Sequence, residues 1–156
     1  MSRRIFDLPR ERAGMAALEF ALTVPALLII MLGATQFGLT FNNYLMLTNA
    51  TQAATRQFAL SRGSNTLAAD AVNMVYGSAP NLSPANLTII LKVGVTQCAS
   101  VPPLTSAANA ACKTAMDSAQ GQAATLTSTY PCTLKIYGHD YLPHCTLTAQ
   151  TTERIE

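Results

Sequence analysis

A chain of 156 residues leaves room for one compact domain of roughly 90 residues once a membrane segment is set aside, which excludes a large enzyme. Only 12% of the residues are charged and 49% are hydrophobic, against about 25% charged in ordinary soluble domains, so lipid is expected to form part of the surroundings. The net charge of +2 has no focus: no Lys/Arg run and no basic stripe with interleaved aromatics occurs, which excludes nucleic acid as a partner.

The first fourteen residues, MSRRIFDLPRERAG, are polar and end at Gly14. From Phe20 through Thr55, 36 residues, there is no Asp, Glu, Lys or Arg. Within this gap Phe20 to Phe41 reads FALTVPALLIIMLGATQFGLTF. As a helix these residues span about 33 Å, enough to cross a hydrocarbon core of about 30 Å. A helix is the one unpaired element able to do so, and it tolerates a bend at Pro25. Arg3, Arg4, Arg10 and Arg12 precede the segment and the first cation after it is Arg56, so the N-terminus is expected in the cytoplasm and the remainder outside.

An ordinary signal peptide has an apolar stretch of about 7 to 15 residues and then a small-x-small cleavage site. The stretch here runs on well past that, although Gly33-Ala34 offers a weak site of this kind. The other reading is cleavage between Gly14 and Met15, which makes Glu19 the fifth residue of the mature chain. A carboxylate one turn into a membrane is costly unless paired. The freed α-ammonium of Met15, on the same or a neighbouring chain, is an available cation. Such a pair favours lateral assembly of helices and fixes their axial register. The competing view leaves Glu19 hydrated at headgroup level and Gly14 as an accidental hinge.

Past the membrane the helix is expected to continue, because Tyr44, Leu47, Ala50/Thr51, Ala54 and Phe58 recur at three- and four-residue intervals in one apolar stripe. Its length is then about 45 residues. The stripe packs on the chain's own domain or forms a seam with another helix, and the former is expected. Gly63-Ser64-Asn65 stops the helix and can cap the next.

Gly14, Ala17-Leu18-Glu19-Phe20-Ala21-Leu22, Pro25, Leu27-Leu28, Gly33, Phe37-Gly38, Leu47, Asn49-Ala50, Ala53-Ala54 and Arg56 together make this stretch resemble the TadE-like pseudopilins of tight-adherence (Tad) pilus systems. The resemblance covers residues 14 to 62, and Leu147 to Glu156 resembles the family's closing strand more loosely. It departs from the pattern at Gln36, where an acidic residue often precedes Phe-Gly, and in its four cysteines. The resemblance implies cutting by a prepilin-type peptidase, with Gly14 and Met15 flanking the scissile bond and Glu19 as the assembly carboxylate. It also implies a place in the bacterial inner membrane, with other pilin-like subunits, the major pilin and the Tad membrane platform as partners.

Beyond residue 62, a second helix is expected over about Thr66 to Tyr76, with Leu67, Ala71, Met74 and Val75 on one side, ending at Gly77. Pro80 and Pro84 break the chain. From Asn86 the period becomes two: Leu87, Ile89, Leu91, Val93 and Val95 form one buried face of a strand. A loop is expected between Cys98 and Cys112, and a short helix over about Ala110 to Ala119. Two further strands, about Ala124 to Tyr137 and Leu142 to Glu153, flank Gly138-His139-Asp140 as a hairpin.

Cys98, Cys112, Cys132 and Cys145 all fall on the outer side, where an oxidising compartment lets them pair. Of the three connectivities, Cys98 with Cys112 and Cys132 with Cys145 is favoured, because the second pair then links the two strands of the hairpin. In a small core each bond is worth about 3 kcal/mol. His139, His144, Cys132 and Cys145 have the right types for zinc, but no Cys-x2-Cys or His-x3-His spacing accompanies them. Neither Cys-x-x-Cys, Gly-x-Ser-x-Gly nor a Gly-rich phosphate loop is present. No enzyme activity, cofactor, metal or small-molecule substrate is expected.

The expected fold is therefore α+β and pilin-like. It comprises a cytoplasmic leader at 1–14, a transmembrane and extended helix at 15–62, and a periplasmic domain at 63–156 with a short helix and a roughly three-stranded antiparallel sheet. The expected function is that of a minor pseudopilin supporting pilus assembly, initiation and surface adherence. The alternative is an uncleaved single-pass anchor carrying a periplasmic binding module.

Overall fold

The structure is a computed structural model and describes residues 10–132, 135–136 and 139–156. Arg3, Arg4 and most of the expected leader, as well as Gly138 of the expected hairpin turn, lie outside the described residues.

One helix, α1 (Arg10–Leu60), runs without interruption for 51 residues, with Pro25 inside it. Its C-terminal part is the spine of the domain: Leu47, Ala50, Thr51, Ala54, Thr55, Phe58 and Ala59 are buried. The two buried threonines stay within the helix for their hydrogen bonds, Thr51 Oγ1 donating to the Leu47 carbonyl and Thr55 Oγ1 to that of Thr51, each at 2.6 Å. The hydroxyls therefore enter the core without an unmet donor. Tyr44, expected in the stripe, is 40% exposed at its edge.

After Gly63, at φ +85°, the chain reverses into α2 (Leu67–Ser78), which buries Leu67, Ala68, Ala71, Val72 and Val75 against α1. Met74, expected on this buried side, is 38% exposed. Ala68 and Val72 fill the face because α2 is clasped between two helices, and its buried stripe is correspondingly wide. The helix α3 (Ser106–Asp117) starts four residues earlier than the expected Ala110, since Thr105 caps it by accepting from the Ala108 N–H at 3.1 Å.

The sheet has four strands where about three were expected: β1 (Thr88–Val93), β2 (Thr96–Val101), β3 (Ala123–Pro131) and β6 (Thr146–Arg154), antiparallel in the order β2-β1-β3-β6. A separate pair, β4 (Lys135–Ile136) and β5 (His139–Asp140), lies between β3 and β6 in the chain. The inward face of the sheet is set by the expected alternation, with Leu87, Ile89, Leu91 and Val93 all buried. Val95 does not belong to it; fully exposed, it sits in the β1–β2 turn. The reason is Gly94, whose φ of +57° reverses the chain while its N–H donates to the Ala123 carbonyl at 2.7 Å.

The loop expected directly after Cys98 is replaced by β2. Its pairing with β1 shifts register between Leu91 and Lys92, opposite Ala99 and Gln97, which leaves Cys98 as the extra residue of a β-bulge. Bulges re-aim side chains, and here Cys98 is bonded to Cys112 on α3. The strand expected to run to Tyr137 stops at Pro131, where proline removes the next ladder donor. The Cys132 N–H turns instead to the Cys145 carbonyl at 3.0 Å, and Cys132 and Cys145 are joined by the second disulfide. The strand expected from Leu142 begins at Thr146, because residues 142–145 form a turn closed by Cys145 N–H donating to the Leu142 carbonyl at 3.2 Å.

α1 covers β3 and β6, α3 covers β1 and β2, and α2 packs between the two helices. The core is one layer of helices on one face of the sheet. The opposite face is largely threonine, with Thr88, Thr129 and Thr148 paired in one row and Thr125 hydrogen-bonded to Thr152 at 3.0 Å in another.

Candidate functional site

The N-terminal part of α1 has no cover. Met15, Leu18, Phe20, Leu22, Leu27 to Leu32, Phe37, Leu39 and Phe41 are all exposed, and the most apolar stretch of the helix has no residue buried by the rest of the chain. Among the described residues α1 is the one helix long and apolar enough to cross a membrane. Large apolar side chains exposed over this length are unfavourable in water and suited to lipid.

The threonine hydroxyls of this stretch are treated as a bilayer requires. Thr23 Oγ1 donates to the Phe20 carbonyl at 3.2 Å, Thr35 to that of Met31 at 2.9 Å and Thr40 to that of Gln36 at 3.1 Å. Each hydroxyl is thus satisfied inside its own helix, the condition for facing hydrocarbon. Pro25 leaves the Ala21 carbonyl without its usual donor.

Gly14, Met15 and Glu19 lie on the first turns of the described helix and are exposed. Met15 and Glu19 are four residues apart, hence on one helix face. No described residue shares that face with them from the domain, which begins to cover α1 only near Gln36.

From there the covered side of the helix reads Gln36, Thr40, Asn43 and then Leu47, at intervals of four, three and four. From Leu47 onward the domain-facing stripe is thus mostly apolar, its two threonines bonded back into the helix, and below Leu47 it is polar. Gln36, Leu39, Thr40 and Asn43 line a groove of about 300 Å³ with Asn86, Tyr130, Pro131 and Cys132. Higher on the helix, Asn49, Gln52, Ala53 and Arg56 line a second groove with Thr151 and Glu153 of β6. The sequence shows Gln36, Thr40 and Asn43 at helical spacing and in line with Leu47, but nothing in it says how far down the helix the domain would reach.

The four cysteines form two disulfides, Cys98 with Cys112 and Cys132 with Cys145, and none is free. Oxidised sulfurs hold no metal. Among the described residues no cluster of three or more His, Cys, Asp and Glu side chains occurs.

An exposed, lipid-compatible helix whose far half is the spine of a small disulfide-bearing domain defines the class: an α+β protein with a single-pass membrane anchor. Residues 14–56, the span and the first half of the domain's spine, match the family model described as TadE-like protein, and this associates the chain with Tad pili. No curated protein and no solved structure matches the chain.

Proposed function

We propose that this chain is a minor pseudopilin of a Tad (type IVc) pilus system. It is made as a precursor, cut between Gly14 and Met15 by a prepilin-type peptidase, and used with pilin-like subunits and the membrane platform to initiate or support the pilus and adherence to surfaces. It resides in the inner membrane with its domain in the periplasm. The observation that carries this reading is the placement of Glu19 one turn from Met15 on a bare apolar helix, within the segment that matches the TadE-like model. A carboxylate at that depth needs a cation, and the amine freed at Met15 supplies one on a neighbouring helix. The arginine-rich flank supports the orientation, and the pairing of all four cysteines supports an oxidising compartment for the domain.

The test is intact mass and N-terminal sequencing of the protein purified from membranes of its native host. A chain starting at Met15 establishes the prepilin-type route. A start at Met1 or Ser2 overturns processing and leaves an anchored binding module, and a start near Thr35 means a secreted domain.

A further inference from the structure

We propose that the turn at Asp140–Leu142, beside the Cys132–Cys145 bond, lies on the outer surface of the bilayer and inserts Tyr141 and Leu142 into its headgroup region, giving the domain a second membrane contact besides α1. The proposal rests on the reading of α1 as a membrane span.

Depth along the helix is the first argument. A hydrocarbon core of about 30 Å takes about 20 helical residues. Begun at Phe20 it ends near Thr40; begun at a cleaved Met15 it ends near Thr35. In both cases the Gln36–Asn43 stretch lies near the outer boundary, with Leu39 and Thr40 at its middle no more than about 8 Å beyond it, the depth of the headgroups. These are the α1 residues that share a groove with Tyr130, Pro131 and Cys132, so the base of the excursion between β3 and β6 stands at headgroup depth. The polar lining of that groove fits a hydrated wedge between helix and domain.

Direction is the second. The Arg56 end of α1 lies beside Thr151 and Glu153, and the Gln36 end beside Pro131. Pro131 pairs with Thr146 at one end of the sheet, and Ala123 with Arg154 at the other. Strand β3 therefore runs towards the bilayer, and the excursion leaves the sheet at its membrane-proximal end, where β4 still lies against α1.

The exposed turn after β5 is the third. Asp140 Oδ1 accepts from the Leu142 N–H at 3.1 Å, fixing a turn on which Tyr141 is 60% and Leu142 48% exposed. The Cys132–Cys145 bond holds the base of this turn. Two adjacent large side chains, one aliphatic and one with an apolar ring and a polar tip, are the residue types that favour the membrane–water interface. Exposed Val95 stands alone in a turn at the opposite end of the sheet.

The chain contains no tryptophan, so single-Trp variants of the full chain report depth directly. Tyr141→Trp, Leu142→Trp, Leu28→Trp and Val95→Trp are reconstituted in vesicles of phosphatidylethanolamine and phosphatidylglycerol. Nitroxide lipids labelled near the headgroup or near the chain end serve as quenchers, with acrylamide as the aqueous one. The expected result is blue-shifted emission at 141 and 142, quenched by the shallow lipid label and shielded from acrylamide. Leu28→Trp should be quenched by the deep label and Val95→Trp by acrylamide alone. Aqueous quenching at 141 and 142 with deep quenching at 28 overturns the proposal and leaves the anchor standing. Blue-shifted emission at 141 that no lipid label quenches also overturns it, in favour of a protein contact. Loss of deep quenching at 28 overturns the anchor and the proposal together.

Discussion

The side-chain oxygen of Asn109, in the second turn of α3, accepts hydrogen bonds from the backbone N–H groups of both Ala68 and Ala69, at 3.1 and 3.0 Å. These are two of the orphan donors at the start of α2, and Thr66, which precedes the helix, makes no side-chain cap of its own. One helix thus caps another that lies far from it in the chain. Asn109→Ala should lower domain stability by about 1 kcal/mol, the usual worth of a cap. Asn109→Asp should retain it, because a carboxylate accepts the same bonds and suits a helix N-terminus. Thermal unfolding of the detergent-solubilised chain, followed by circular dichroism, measures both.

Removing the Cys98–Cys112 bond by a double alanine substitution should cost about 3 kcal/mol for a loop of this size. Because α3 also carries the cap of α2, hydrogen exchange at Ala68 and Ala69 should quicken in this variant. Equal exchange there after loss of the Cys132–Cys145 bond instead would show that α3 is not held chiefly by its own disulfide.

Phe58 is fully buried against the domain and Phe37 is exposed on the span. Phe58→Ala should cost about 3–5 kcal/mol through the cavity it leaves, enough to unfold a small domain. Phe37→Ala should leave the melting of the domain unchanged, since it touches lipid in both states. A comparable loss in the two variants would place Phe37 in a protein contact.

The hydroxyl of Ser128 is buried on β3 between Ile89 and Ala149, without a hydrogen-bond partner among the described residues. An unmet buried hydroxyl costs about 1–3 kcal/mol. Ser128→Ala should therefore raise the unfolding midpoint in urea, and a lowered midpoint would reveal a bound water that the hydroxyl serves.

Glu19→Ala should leave cleavage before Met15 intact, read by mass, and reduce the number of pili, read by electron microscopy. Normal pilus numbers in a processed Glu19→Ala strain would remove the carboxylate from the assembly mechanism.

Periodicity makes the long helix, its buried stripe and the inward face of β1 legible, because apolar side chains repeating every 3.6 or 2 residues match the geometry of a one-sided helix or strand and little else. The strand β2 is hidden by its bulge: with Cys98 inserted, Thr96 to Val101 shows no clean alternation. Val95 continues the pattern of β1 in sequence but not in space, since Gly94 turns the chain before it. The end of β3 is hard to place because Thr, Leu and Ile around Cys132 have strand propensity, and only the cross-link and Pro131 decide where pairing stops. The cap from Asn109 has no local signal at all, being a contact between elements distant in sequence. In the candidate site, Gly14, Met15 and Glu19 are visible as chemistry, whereas the polar stripe at Gln36, Thr40 and Asn43 acquires meaning only with the domain beside it.

The unbroken run of α1 from the span into the core makes anchor and domain one stiff piece, like a piston rod cast with its head. Between Pro25 and Leu60 no joint separates them, so sliding the helix outward by a single turn lifts the domain by the same amount, about 5.4 Å. A force applied to the membrane half of such a rod would move the domain half without any change in the domain's internal packing. The height of the domain above the bilayer then becomes a direct gauge of how far the helix has been drawn out.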